Sequence, residues 1–290
     1  MVDYQALKAL QAVIEFQSFE LASKSLGISQ SAVSQRIQSF ESYLGSKLIV
    51  RKAPYVATKL GKNYLNLLRK VTSLESEFQH ESNSRPVLRL GINRDSLDTY
   101  FLDVLADEDL AELLTIKVIA DDQDNTIEYL KSGQVDMCIS SQKKALPNHS
   151  STYLGDMIYT LACSKVFYKK YFKKGVNSQS LANAPLVVFD KYDKVQHNYL
   201  KEHYHIESFS KINSLPSVPS FKKAILGGFG YGLLPILDIS TELSKKQIVQ
   251  MNPKKDYRVS LYLHQWEYQQ SHIKAFNMKL KEASKKLNRD

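Results

Sequence analysis

Apolar residues in the first eighty positions recur at helical spacing. Tyr4, Leu7, Leu10, Val13 and Ile14 line one side of a helix predicted over residues 3–17. Ser18 can cap a second helix over Phe19–Leu26, which Gly27 ends, and Ser29 can cap a third over Gln30–Leu44, which Gly45 ends. Within the third, Val33, Ile37, Phe40 and Leu44 are spaced 4, 3 and 4 and form the face to be buried. Ser31, Ser34, Gln35 and Gln38 fall opposite, and Gln30 sits in the first turn. Two helices joined by a short glycine-containing turn, the second with a polar, uncharged outer face, make the pattern of a helix-turn-helix. The stretch 47–52 then reads as a strand, Ala53-Pro54-Tyr55 as a turn and Val56-Ala57 as the return, a short hairpin or wing with Arg51 and Lys52 at its tip. Thr58 caps a long helix in which Leu60, Tyr64, Leu67, Val71, Leu74 and Phe78 repeat at 4, 3, 4, 3 and 4, an a/d seam suited to pairing two chains. Leu65 and Leu68 fall off that seam, toward the helix's own domain.

Ser82 to Pro86 is a polar hinge, and beyond it the pattern changes. Strands are predicted over Val87–Ile92, Thr115–Ala120 and Val135–Ser140, with helices over Ser96–Leu105 and Thr126–Ser132 between them. This alternation predicts a parallel sheet with helices on its faces. Met157–Ser164, Pro185–Phe189, Ser217–Leu226 and Arg258–His264 suggest a second α/β unit and a return, hence two lobes with a cleft. The glycines of 227–232 are placed to permit a tight turn and a close strand approach. The domains expected are 1–58 (winged helix-turn-helix), 59–86 (linker helix and hinge) and 87–290. The last divides into lobe I, about 87–160 and 265–290, and lobe II, about 161–264.

Charge sharpens the reading of the first part. The net charge is +9, and from Lys24 to Lys70 nine basic residues face a single acid, Glu41. So one-sided a block is an electrostatic footprint for a polyphosphate, and it favours a DNA-reading unit over a plain three-helix bundle. Gln pairs bidentately with adenine in the major groove, Ser serves base edges or phosphates, and Arg51 and Lys52 would reach the backbone or the minor groove. A dimer seam would set two such helices on half-sites about a helical turn, or a multiple of it, apart. The basic run Lys274–Lys286 reads as the wet face of a terminal helix.

Composition narrows the remaining classes. No signal peptide and no apolar run near the roughly 18–20 residues of a membrane span is visible, so a cytoplasmic location with no membrane partner is expected. Cys138 and Cys163, far apart and outside any CxxC, read as buried reduced thiols. There is no GxSxG, HExxH or GxGxxG, and the seven histidines are scattered without partners at metal spacing, so neither an enzyme, nor a metal site, nor a cofactor is expected. In open α/β sheets ligands lie beyond the carboxyl ends of strands. That places Asp95 and Ser96 after the first strand, Asp122 (beside Asp121) after the second, Ser140, Ser141 and Gln142 at the third, and Asp190 after Phe189. Carboxylates there could hold an ammonium or guanidinium group, and amides at a helix start could hold a carboxylate, although Asp after a strand is commonly a cap or turn residue.

The stretch Ala22 to Ile37, with Phe40-Glu41, Leu44-Gly45, Lys47 to Arg51 and Thr58 to Gly61, resembles the LysR-type family of transcriptional regulators. Gln30 to Ile37, Asn93-Arg94-Asp95-Ser96-Leu97, Gln142 to Pro147, Lys170-Tyr171-Phe172, Phe189-Asp190 and Leu261-Tyr262 with His264 look like the ArgP/LysG subgroup. That subgroup comprises regulators of basic amino acid export and was also described as an inhibitor of replication initiation. The resemblance implies a periplasmic-binding-protein-like effector domain, lysine or arginine as effector, RNA polymerase as a partner, and a homodimer or a homotetramer built as a dimer of dimers. Carried over by position, base contacts fall on Gln30, Ser31, Ser34 and Gln35, with Arg36 beside them and wing contact near Arg51. Two departures are present: Gln35 stands where many members carry Arg, and Gly230 to Pro235 is closer to the general family than to the subgroup. An architectural DNA protein without an effector is the alternative, as is a regulator with a different effector.

Overall fold

The computed structural model describes residues 1–76, 85–190, 193–267 and 271–287. Helices α1 (Tyr4–Phe16), α2 (Phe19–Leu26) and α3 (Gln30–Leu44) form where local signals place them. The side chains of Asp3, Ser18 and Ser29 accept the amides of Ala6, Leu21 and Ala32, and Gly27 and Gly45 close the second and third helices in the left-handed conformation. Leu7, Leu10, Val13, Val33 and Ile37 are fully buried together, each contributing roughly 1.5–3 kcal/mol by burial. The hairpin is shorter than the sequence suggests, with β1 (Ile49–Val50) against β2 (Val56–Ala57) only. The Glu41 carboxylate takes the amides of Leu48 and Ile49 at 2.8 and 3.4 Å, while Thr58 donates its amide to the Leu48 carbonyl and its hydroxyl to that of Lys47, so side chains supply much of the bonding at 47–48.

Helix α4 (Lys59–Ser76) starts where the Thr58 hydroxyl accepts the Gly61 amide. Leu65 and Leu68 are buried in the N-terminal core, and Leu60 and Tyr64 also pack against it, Tyr64 edge-on to Phe40 at 5.3 Å. Leu67, Val71 and Leu74 are half-buried along the rest of the expected seam, and Phe78 lies outside the described residues, as do 82–84 of the expected hinge. The same helix touches the larger part of the molecule. Asn66 sits where a Cβ on Gly133 would come within 2.7 Å, and the Lys70 ammonium lies 5.3 Å from the centre of the Trp266 ring.

Beyond the linker, one nine-stranded sheet runs through two α/β lobes. Its strands are β3 (Val87–Asn93), β4 (Thr115–Asp121), β5 (Met137–Ser140), β6 (His149–Ser164), β7 (Leu186–Val188), β8 (Ile212–Ser214), β9 (Tyr231–Pro235), β10 (Ile248–Gln250) and β11 (Tyr257–Trp266). The order is β4-β3-β5-β11-β6-β9-β7-β8, with β10 also on β6. Strand β3 is parallel to β4 and β5, and β7 is parallel to β8 and β9. The long antiparallel pair β6 and β11 crosses between these two parallel groups. The helix expected over 96–105 is two short ones, Arg94–Leu97 and Phe101–Leu105. The chain turns helical at once after Asn93, so Asp95 and Ser96 stand in a first turn and not in a loop. Strand β6 begins eight residues before the expected start, because its first half, His149 to Asp156, is too polar to show as a strand.

The glycine run does what its positions suggest. Gly228 takes φ +79°, and a Cβ on Gly230 would lie 2.6 Å from Val187 and 2.8 Å from the Pro185 carbonyl, so β9 can close on β7 only without a side chain there. Cys138 and Cys163 are unpaired and buried, and burial pushes both thiols up to about 12. No helix among the described residues is long and apolar enough to cross a membrane.

Candidate functional site

Two surfaces carry chemistry. On the first, α3 leaves Gln30, Ser31 and Gln35 exposed and Ser34 and Arg36 half-buried on the side away from the core. The Ser29 and Ser31 hydroxyls are 2.9 Å apart at the helix start. Lys52 is exposed on the wing, whereas Arg51 folds back, its guanidinium 3.4 Å from the Ser34 hydroxyl and 3.5 Å from Glu41. Glu41, only 2% exposed, thus gathers two wing amides, Lys47 and Arg51. Burial works against its charge, but the Leu48 and Ile49 amides and Lys47 prevail and hold the carboxyl below its usual value. Gln17 braces the other side of the wing, exchanging hydrogen bonds of 2.8 Å with both the amide and the carbonyl of Tyr55. The wing is therefore fixed relative to α3 before any ligand arrives.

The second surface is a cleft of about 440 Å³ at the carboxyl ends of β3, β4 and β7. Five carboxylates line it, Asp95, Asp121, Asp122, Asp190 and Asp193, against two cations, Arg94 and Lys194. Arg94 is already engaged, 3.7 Å from Asp121 with its guanidinium 4.9 Å over the Phe189 ring. Asp121 also accepts the Tyr129 hydroxyl at 2.7 Å and the Asp122 amide at 2.8 Å. Burial opposes its charge, but these bonds lower its pKa overall. Asp95 accepts the Tyr159 hydroxyl at 2.6 Å, and burial, with Asp193 nearby, still lifts its pKa to about 6. Burial likewise raises Asp122 and Asp193. Asp193 caps the helix Lys194–Tyr204 through the Gln196 amide and accepts the Phe189 amide at 2.9 Å, so the first turn of that helix opens on the cleft. Asn93, whose buried side-chain oxygen lacks a partner among the described residues, also lines it. The cleft is rich in acceptors and short of donors, which suits a ligand that brings cationic N–H groups.

Of the effector residues expected from sequence, Asp95, Asp122 and Asp190 meet at this cleft. Ser96 is fully buried behind it. Ser140 donates to the Gln123 carbonyl at 3.0 Å, Ser141 to Asp124 at 2.6 Å and Gln142 to the Lys144 carbonyl at 2.7 Å, so these three hold neighbouring loops and do not line the cleft. Sequence reasoning passed over Arg94, Asp193, Tyr159 and Phe189, which the structure places in the wall of the cleft. Tyr159 arrives from a crossing strand, which no local pattern could place there.

Comparison with known proteins bears on both surfaces. Residues 4–62 match the model of the bacterial regulatory helix-turn-helix protein, lysR family. The chain is 37% identical over 272 residues to the HTH-type transcriptional regulator ArgP of Vibrio parahaemolyticus, covering 92% of this chain and 91% of that protein. The crystal structure of ArgP from Mycobacterium tuberculosis superposes with a TM-score of 0.89 at 26% identity, covering 100% of this chain and 99% of that one. Full-length LysG from Corynebacterium glutamicum, solved with bound effector Arg, has a TM-score of 0.78 at 24% identity and 98% coverage of both chains, a likeness of fold.

Proposed function

We infer that this chain, which belongs to the lysR family of bacterial regulatory helix-turn-helix proteins, is a DNA-binding transcription regulator whose effector is a basic amino acid, arginine or lysine. One observation carries the effector reading: five carboxylates converge on a cleft holding only two cations, both already paired, Arg94 with Asp121 and Lys194 with Asp124. A side-chain guanidinium or ammonium group would replace part of that missing charge, and Asp122, Asp190 and Asp193 are its partners. The ligand's carboxylate would turn toward Lys194 and the helix start behind it. The Arg recorded in LysG of the same fold supports this class of ligand.

On the other surface, Gln30, Ser31, Ser34 and Gln35 read bases, and Arg36, Arg51 and Lys52 contact the backbone. The units are 1–58 for DNA, 59–86 for linkage and 87–290 for the effector, and Leu67, Val71 and Leu74 supply the pairing face of a homodimer or a homotetramer made of two. Helix α4 touches both ends of the system, so a change in lobe closure at Gly133 and Trp266 is felt by the reading heads. Ligand binding shifts the oligomer between conformations only by its difference in affinity for them, and the shift alters DNA geometry and contact with RNA polymerase in the cytoplasm.

Titration calorimetry of the full-length protein with arginine, lysine and the neutral isostere citrulline tests the effector. Heat is expected with a cationic amino acid and none with citrulline, and Asp122→Asn should weaken binding by about 1.5–3 kcal/mol. Absence of heat with both cations removes the basic-amino-acid reading and leaves the regulator.

A further inference from the structure

The second lobe carries a cationic face that neither surface described above uses. From Met157 to Phe189 the chain contains no Asp or Glu, yet Lys165, Lys169, Lys170, Lys173 and Lys174 crowd into ten residues of it. All five are exposed on or just after the helix Lys165–Tyr171, which is pinned to the sheet by buried Phe167 and Phe172. No ion pair among the described residues uses any of them. Lys165 and Lys169 lie one helical turn apart, about 5–6 Å at their Cβ atoms, Lys170 follows, and Lys173 and Lys174 stand in the turn just after the helix. Strand β10 pairs with the end of β6, Ile248 opposite Ser164, and so brings exposed Lys246 to the same border. Helix energetics account for Lys169 and Lys170, which sit in the last turn where the dipole favours a cation, but not for the rest. Lys165 occupies the first helical position, where the helix dipole disfavours a positive charge. Nor is it a general surface bias, since residues 95–116 of the first lobe hold seven acids and no Lys or Arg.

We propose that this lysine face is a second DNA contact, gripping backbone phosphates of the duplex beyond the bases read by α3. The proposal rests on the DNA-binding reading and extends it to the effector domain. Two features favour DNA over an acidic protein. The face is made of point charges, the donors that neutralise phosphates without reading sequence. From Lys165 to Lys174 the one exposed large apolar side chain is Val166, whereas protein interfaces are built round an apolar core in which Lys is depleted.

The test is a set of salt titrations on the full-length protein, using DNA from upstream of its own gene. One duplex covers only the footprint of the winged helices, and the other carries the same site with flanks longer by several helical turns. The wild type is expected to show a steeper fall of log K with log salt on the long duplex, by about two to four in slope per chain at about 0.9 per phosphate neutralised. The variant with Lys165, Lys169, Lys170, Lys173 and Lys174 all changed to Gln should match wild type on the short duplex and lose the added slope on the long one. The same five changed to Arg should keep it. Thermal unfolding of both variants, whose substitutions are all exposed, checks that the fold is intact. Equal slopes on the two duplexes in the wild type overturn the proposal. So does an added slope retained by the Gln variant, or unchanged DNA binding with loss of promoter activation alone, which would assign the face to an acidic protein. Failure to bind even the short duplex is a failure of the DNA-binding reading itself.

Discussion

The winged-helix unit and the two-lobed unit solve opposite electrostatic problems, and they differ as much in how their chains encode the answer. The first presents cations to a polyanion, and almost every contact that shapes it spans a few dozen residues. Glu41 reaches Leu48, Gln17 reaches Tyr55 and α1 packs on α3. The second gathers carboxylates round a cleft, and its site is assembled from segments far apart. Tyr159 meets Asp95 across 64 positions of chain, and Lys194 meets Asp124 across 70. The lesson is that a surface built for a large ligand can be written in one helix, whereas an enclosed site for a small one needs the whole topology.

The sharpest way to break that comparison is at Glu41. Removing its carboxylate leaves two buried amides without an acceptor and Arg51 without its anchor, so Glu41→Ala should cost about 3 kcal/mol or more in the winged-helix unit. Differential scanning calorimetry should show that transition moving down while arginine binding is unchanged. A loss of arginine binding would mean the two units do not fold apart. Gly230→Ala is the mirror experiment. Its new Cβ would press on the Pro185 backbone and on Val187, costing about 1–3 kcal/mol in the effector unit and weakening the ligand, with short-duplex DNA binding preserved.

A smaller effect comes from pH. Asp95 has a folded pKa of about 6, above its unfolded value near 3.9. Between those values the folded state binds more protons than the unfolded state. Stability without ligand therefore falls as pH rises through that window and levels off above it. A cationic ligand prefers the ionised carboxylate, so its affinity should rise about tenfold between pH 5 and pH 7. Asp95→Asn should flatten the profile, and a wild-type affinity that fell over this range would remove Asp95 from the ligand's surroundings.

Sequence reasoning did best where signals were local. The caps at Ser18 and Ser29, the left-handed closures at Gly27 and Gly45 and the 4-3-4 stripe of α3 mark the second and third helices to the residue. It also found the strand ends at which Asp95, Asp122 and Asp190 meet, because a βα alternation places its loops on one side of the sheet. It missed the polar half of β6, read Ser140 to Gln142 as ligand contacts when their polar groups serve neighbouring loops, and passed over Asp193. That residue looks like an N-cap, and is one, yet its carboxylate also forms cleft wall. Dual use of this kind leaves no trace in local spacing.

The central claim is that an acid-lined cleft for a basic amino acid governs a cationic DNA-reading head. Its most direct test is the affinity of the full-length protein for DNA from upstream of its own gene and of candidate exporter genes. The titration is run at physiological salt beside a scrambled competitor, with arginine, lysine or citrulline added. The account predicts specific binding whose strength or footprint is changed by arginine or lysine and left alone by citrulline. Specific binding indifferent to all three would contradict the effector, and binding no better than to the scrambled sequence would contradict the reading head.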